Sequence, residues 1–389
     1  MTIAQAGATL DQQGLGSLAP FFGTELRLDH AALGALFGSI YLGSTLFTAP
    51  SGILVDRYGE RRIVVGSGVA MGGCVVVGAL VPNAAWLVFW LLAFGALYAA
   101  SSPAGGRAIL RHFARRRGLA MGVRQAGAPL GGAIGAVILP VVALHFGGYR
   151  AALLCGGIIC AACAIAAGVG YRSTEDDGAR GGPGLRTLVG NMRRFVGERR
   201  ALAVNVTAFL LASGQYCVVA FLVVTLLRSH FRPAVASLSL AVAMIAGTVA
   251  RPLWGLLSDR IFSHERAQTL AVIGAFGAGG VLWLSTLTGP GHVFSVVAVS
   301  TLVGASTIGF TGLLNTVFAE LGGEQAAGSA MGVGLTFNYA AGFVAPPLFG
   351  IVVDHFSFAL AWRFLALALS AAALIVLVGA HNHANGESR

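Results

Sequence analysis

Runs of about twenty apolar residues recur from one end of this 389-residue chain to the other, and only one interval between them is long. A helix rises 1.5 Å per residue, so twenty residues cross the ~30 Å hydrocarbon core of a bilayer. Lipid offers no water to the backbone, so such runs are expected as helices that bond their own peptides. Hydrophobic residues make up 56% of the chain and charged ones only 10%, against about 25% charged in ordinary soluble domains. The runs are apolar all round, which excludes a soluble bundle with polar outer faces. The reading is an all-α integral membrane protein.

Twelve spans are expected, near residues 3–24, 31–54, 63–82, 84–110, 118–144, 149–171, 201–227, 234–257, 267–288, 292–318, 326–353 and 360–380. The long polar interval, 172–200, begins glycine-rich and acidic and ends in "LRTLVGNMRRFVGERR", a candidate surface helix. The chain therefore divides into a six-helix bundle at 1–171, a linker at 172–200, a second six-helix bundle at 201–380 and a tail at 381–389. The first apolar run has no basic stretch before it, so no cleavable leader is expected and the N-terminus reads as shortened.

The formal charge of +10 comes from arginine alone, since the chain has no lysine. Seventeen arginines lie in loops after even-numbered spans or in the tail, and five in loops after odd-numbered spans. Basic loops stay inside, which places even loops, the linker and both termini in the cytoplasm. It also accounts for the charge without nucleic acid. The five cysteines sit within apolar runs as small packing residues, and Cys160 and Cys163 lack a partner pair. No catalytic cluster, phosphate loop or metal-spaced His/Cys group occurs, so neither an enzyme nor a cofactor or metal site is expected.

The two halves repeat each other. Gly52-Ile-Leu-Val-Asp-Arg57 returns as Gly255-Leu-Leu-Ser-Asp-Arg260 at an offset of 203, which also lays Gln12 on Gln215. "GLAMGV" at 118–123 returns as "GSAMGV" at 328–333. Duplicated halves place a substrate site between them in many secondary transporters. The first copy continues to "GILVDRYGERR", which resembles the loop signature of the major facilitator superfamily; Gly52, Leu54, Asp56, Arg57, Gly59 and Arg61 match it. A second likeness is the glycine-proline run at Gly127, Ala128, Pro129, Gly131 and Gly132. The resemblance implies two pseudo-symmetric bundles, alternating access, a monomer in the inner membrane, and gating by Gly52, Asp56, Arg57, Arg61, Asp259 and Arg260. Glu60 stands where the family carries a basic residue, and the fourth span lacks the arginine that many members have.

Ionisable residues within spans are costly and so are functional candidates. Arg251, Arg124 and Arg107 are such residues; Arg107 lies near an edge that it can reach by snorkelling. Arg251 in R-P-L-x-G-x-x-x-D-R resembles the eighth-helix arginine of the monocarboxylate and oxalate-formate branches, which contacts the substrate carboxylate. An inter-half gate or a contact with a backbone carbonyl is the alternative. Arg124 is expected at similar depth on a facing helix. Asp11 is the one acid well inside a span, either a proton carrier, a structural acid or a partner for Arg124. Gln12, Gln215, Tyr216, Asn315, Asn338 and Tyr339 are further cavity-lining candidates. The expected activity is proton-coupled symport of a small organic anion, a monocarboxylate foremost. Cyanate, nitrate or dicarboxylate transport, or drug/proton antiport, is the alternative.

The orientation is open to direct test. With the native cysteines replaced, a cysteine probe beside Arg232 is expected to react with an impermeant maleimide from outside the cell, and one beside Gly182 is not. Labelling of the Gly182 probe reverses the assignment.

Overall fold

The computed structural model describes residues 2–58, 60–100, 117–170, 195, 197–261, 266–287 and 293–384, and contains no strand among them. The helices are α1 (Thr2–Gly14), α2 (Ala19–Glu25), α3 (His30–Tyr58), α4 (Glu60–Leu80), α5 (Ala84–Tyr98), α6 (Arg117–Phe146) and α7 (Gly148–Gly170). They continue as α8 (Arg199–Arg228), α9 (Pro233–Arg260), α10 (Arg266–Thr286), α11 (Val293–Val303), α12 (Thr311–His355) and α13 (Phe358–Ala384). Ten helical segments among the described residues are long and apolar enough to cross a membrane.

The expected first span is not one helix. Leu15–Leu18 form a 3₁₀ turn between α1 and α2, where Gly16 lies against the Val219 carbonyl of α8 with no room for a Cβ. The second half of the expected fourth span, with Arg107, lies outside the described residues, as does most of the 172–200 linker.

Local chemistry sets the helix ends. Asp29 Oδ1 accepts the Ala32 amide at 2.7 Å to cap α3, and Asn83 Oδ1 accepts Trp86 N at 3.1 Å to cap α5. Gly147 and Gly148, both at positive φ, turn α6 into α7; the Glu25 carboxylate occupies the space that a side chain on Gly148 needs.

Helix α12 is assigned without a break over 45 residues, about 68 Å if straight. It is not straight. The Phe318 ring fills the space where Gly334 would carry a Cβ, whereas sixteen residues of straight helix separate two positions by ~24 Å. The chain therefore doubles back between them, in the interval expected to be a loop.

Helices α1, α6 and α7 pack together, as do α3, α4 and α5; α10 lies along α13, and α8 along α12 and α13. Residues before 171 meet those after 198 chiefly through α3 on α12 and α6 on α9. Small residues let backbones approach closely there. Gly34 faces the backbone of Pro346 and Pro347, and Gly350 faces the His30 carbonyl. These prolines lack N–H groups, so the Gly342 and Phe343 carbonyls have no helical donor; both lie on the side where Gly38 approaches. At the end of the same seam Asp354 accepts the Ala31 amide at 2.8 Å and the His30 amide at 3.2 Å, the first turn of α3, and pairs with His30 Nδ1 at 2.5 Å.

Gly34→Val forces the Pro346 carbonyl away, and overpacking of this kind costs ~1–3 kcal/mol. A lower melting temperature is expected in detergent, while Gly66→Ala, which has open space around it, is expected to leave it unchanged. Equal melting of the two variants rules out a tight seam.

Candidate functional site

A cavity of about 100 Å³ lies where α1, α3, α5, α6, α8, α9 and α12 converge. Its wall is unusually polar for a site enclosed by apolar helices. Helix α1 contributes Gln5, Gln12 and Gln13, spaced so that a 3.6-residue period brings them to one side. Tyr41, Tyr98, Tyr216 and Tyr339 come from four different helices, and Thr311, Asn315 and Asn338 come from the two arms of α12. Ala128, Leu314, Phe318 and Leu335 supply apolar wall.

Arg124 and Arg251 both line this cavity, and among the described lining residues none is acidic or histidine. Two fixed positive charges in a low-dielectric enclosure focus a positive potential. Arg124 is buried and its Nη2 donates to Gln5 Oε1 at 3.3 Å; Gln5 Nε2 in turn donates to the Tyr98 hydroxyl at 2.8 Å. This chain fixes the Gln5 amide, because its oxygen faces a cation and its nitrogen a phenol.

Arg251 is held differently. Its Nη1 donates to the Gln125 carbonyl of α6 at 2.8 Å. In a regular helix that carbonyl would accept the amide of residue 129, but residue 129 is proline. Pro129 thus orphans a carbonyl, and Arg251 fills it from another helix. The Arg251 Nε is enclosed without a partner. One turn further along α9, Trp254 Nε1 donates to the Ala305 carbonyl at 2.7 Å. Ala305 belongs to the π turn Gly304–Ile308, where Gly309 N bonds back five residues to Gly304 at 3.1 Å.

Tyr216 donates to Asn338 Oδ1 at 2.7 Å, and its ring lies 4.1 Å from that of Tyr41. The structure thus brings Arg124, Arg251, Gln12, Gln215, Tyr216, Asn315, Asn338 and Tyr339 to one cavity. Gln5, Gln13, Tyr41, Tyr98 and Gln125 were not singled out from sequence. The first two are legible in the helical spacing from Gln12; the others depend on how helices pack.

Asp11 does not line the cavity. It lies about 100° round α1 from Gln12, and its carboxyl is fully buried against Gly156 of α7. Among the described residues neither of its oxygens has a hydrogen-bond partner, so it does not pair with Arg124. Among the gating candidates, Gly52, Asp56 and Arg57 fall within α3, but their packing lies outside the described residues. Arg61 Nε donates to the Gly168 carbonyl of α7 at 3.0 Å. Asp259 pairs with Arg266 at 3.4 Å, and Arg266 also reaches Glu320 at 2.6 Å; Arg260 is exposed at the end of α9.

The family description "Major Facilitator Superfamily" matches residues 1–346. An "Uncharacterized MFS-type transporter" of Mycobacterium tuberculosis is 28% identical over 355 residues, covering 90% of this chain and 77% of that protein. The "Probable sulfoacetate transporter SauU" of Cupriavidus necator is 24% identical over 373 residues, covering 90% and 84%. A solved bacterial homologue of the human lysosomal transporter Spinster, described as inward-facing and unoccupied, superposes with a TM-score of 0.77 at 15% identity, covering 98% of this chain and 94% of that one.

The proline account predicts coupling between residues that do not touch. Pro129→Ala restores an amide donor to Gln125, so Arg251→Ala is expected to destabilise less in that background than in the wild type. Hydrogen bonds to charged groups contribute ~1.5–3 kcal/mol, and a double-mutant cycle on stability reads the difference. Additivity within ~0.5 kcal/mol rules the coupling out.

Proposed function

The chain belongs to the Major Facilitator Superfamily, and from that premise we propose that it carries a small organic anion, a monocarboxylate foremost, across the membrane by alternating access. One observation carries the reading: two arginines from different helices line a single cavity, with no acidic residue among the described residues of its wall. A guanidinium presents a planar fork of donors that matches a carboxylate bidentately. Two such cations repel each other, and a bound anion relieves that repulsion. The charge sign agrees with the sulfoacetate that gives the Cupriavidus necator relative its name, since sulfoacetate is an organic anion. A drug/proton antiporter with a cationic cargo is disfavoured by the same two charges.

The architecture that goes with this reading is twelve spans in two six-helix bundles, with both termini cytoplasmic and the cavity between the bundles, in a monomer of the inner membrane. Relative motion of the bundles then exposes the cavity to either side, and the repeated G-x-L-x-D-R segments gate the cytoplasmic one. Proton symport is assigned to Asp11. This is supported by its complete burial and by the lack of any partner for its carboxyl oxygens. It lies one residue from Gln12 of the cavity wall, so a change in its charge is felt at the site.

Substrate affinity and pH-driven uptake test the two parts separately. Arg251→Lys keeps the charge but loses the fork, and truncating one partner of a buried charged pair costs ~2–5 kcal/mol. Affinity for a carboxylate is expected to fall at least tenfold for lysine and further for alanine, with the neutral amide of the same acid unaffected. Wild-type affinity in Arg251→Ala ends the anion reading. For Asp11→Asn, acid-driven accumulation in proteoliposomes is expected to vanish while exchange of internal for external substrate persists. Unchanged accumulation removes Asp11 from coupling.

A further inference from the structure

Arginines account for the charge of a cargo, but not for the rest of this wall. Alongside them stand side chains that are almost wholly enclosed and make no hydrogen bond with another described residue. Gln12 is 5% exposed, Tyr41 4% and Tyr339 9%, and the side chain of none of the three forms a hydrogen bond with another described residue. Asn315 and Thr311 border the same space and are equally uncommitted through their side chains. Buried polar groups of native proteins are almost always hydrogen-bonded, so groups left free around a cavity mark what its occupant supplies.

The occupant therefore meets two cations together with several neutral groups that both donate and accept. An amide offers a carbonyl acceptor and two N–H donors, and a phenol offers one donor and an acceptor. Hydroxyl groups are the cargo chemistry that satisfies both kinds. An alkyl carboxylate would engage the arginines and leave Gln12, Tyr41 and Tyr339 desolvated without partners. The cavity of about 100 Å³ limits the size to a chain of few carbons.

We propose that the substrate is a short carboxylate bearing hydroxyl groups, held at its carboxylate by Arg251 and Arg124 and at its hydroxyls by Gln12, Tyr41 and Tyr339. This rests on the anion reading and narrows it. The site is expected to discriminate sharply, because one built to bond a substrate hydroxyl rejects the analogue that lacks it far more strongly than an apolar pocket rejects a missing methylene.

Matched probes separate the two levels. Glycerate, propionate and glycerol share a three-carbon skeleton and differ in whether they carry the charge, the hydroxyls or both. Binding to the purified protein is measured by calorimetry, with uptake into proteoliposomes alongside, and gluconate against hexanoate repeats the comparison at six carbons. Glycerate is expected to bind at least tenfold more tightly than propionate, each six-carbon acid more weakly than its three-carbon counterpart, and glycerol not at all. Gln12→Leu and Tyr339→Phe are expected to shrink the glycerate-to-propionate ratio. Equal affinity for glycerate and propionate, with glycerol inert, overturns the hydroxyl assignment and leaves the anion reading intact; the free groups then hold only water. Glycerol binding as tightly as glycerate overturns the anion reading. Failure of all five probes overturns the assignment as well.

Discussion

In hydrocarbon every peptide carbonyl must find a donor inside the protein, and much of this fold follows from where that rule is broken and mended. Proline at 129, 252, 346 and 347 removes a donor each time. The Gln125 carbonyl freed by Pro129 receives Arg251, and the Ala305 carbonyl of the π turn receives Trp254. Both donors stand on α9, three residues apart and so close to one face. That helix is pinned between two irregular stretches of backbone, and the pinning sets the direction in which its arginine enters the cavity. The carbonyls freed by Pro346 and Pro347 lie instead at the seam where Gly38 lets α3 come close.

Much of this was legible before any coordinates. Length and apolarity mark the spans, because only a helix of about twenty residues both crosses a bilayer and satisfies itself. The family follows from "GILVDRYGERR" and its partial repeat at Gly255. Arg251 and Arg124 stood out since charge is scarce in such segments, and the alternative of a carbonyl partner for Arg251 is realised in this structure. Where reading failed, the missing information was three-dimensional. Nothing in "DQQGLGSL" announces a 3₁₀ turn, or the close approach of Gly16 to the Val219 carbonyl two hundred residues away. Asp11 and Gln12 are adjacent in the chain, yet a single helical step turns one toward α7 and the other toward the cavity. Tyr41 and Tyr98 read as ordinary apolar helix residues, and only packing gives their hydroxyls a role.

The bond between Arg251 and the Gln125 carbonyl has a consequence for how a ligand and a protein trade partners. A guanidinium that waited in an empty cavity without an acceptor would carry a large desolvation penalty. Here a peptide oxygen is a resident stand-in. On the proposed reading an incoming carboxylate displaces that oxygen, so binding is an exchange of acceptors and its selectivity depends on the surplus of a charged acceptor over a neutral one. The displaced carbonyl belongs to α6, next to Arg124. Occupancy at one arginine is thereby reported to the backbone that carries the other, and departure of the ligand returns Arg251 to its resident peptide acceptor.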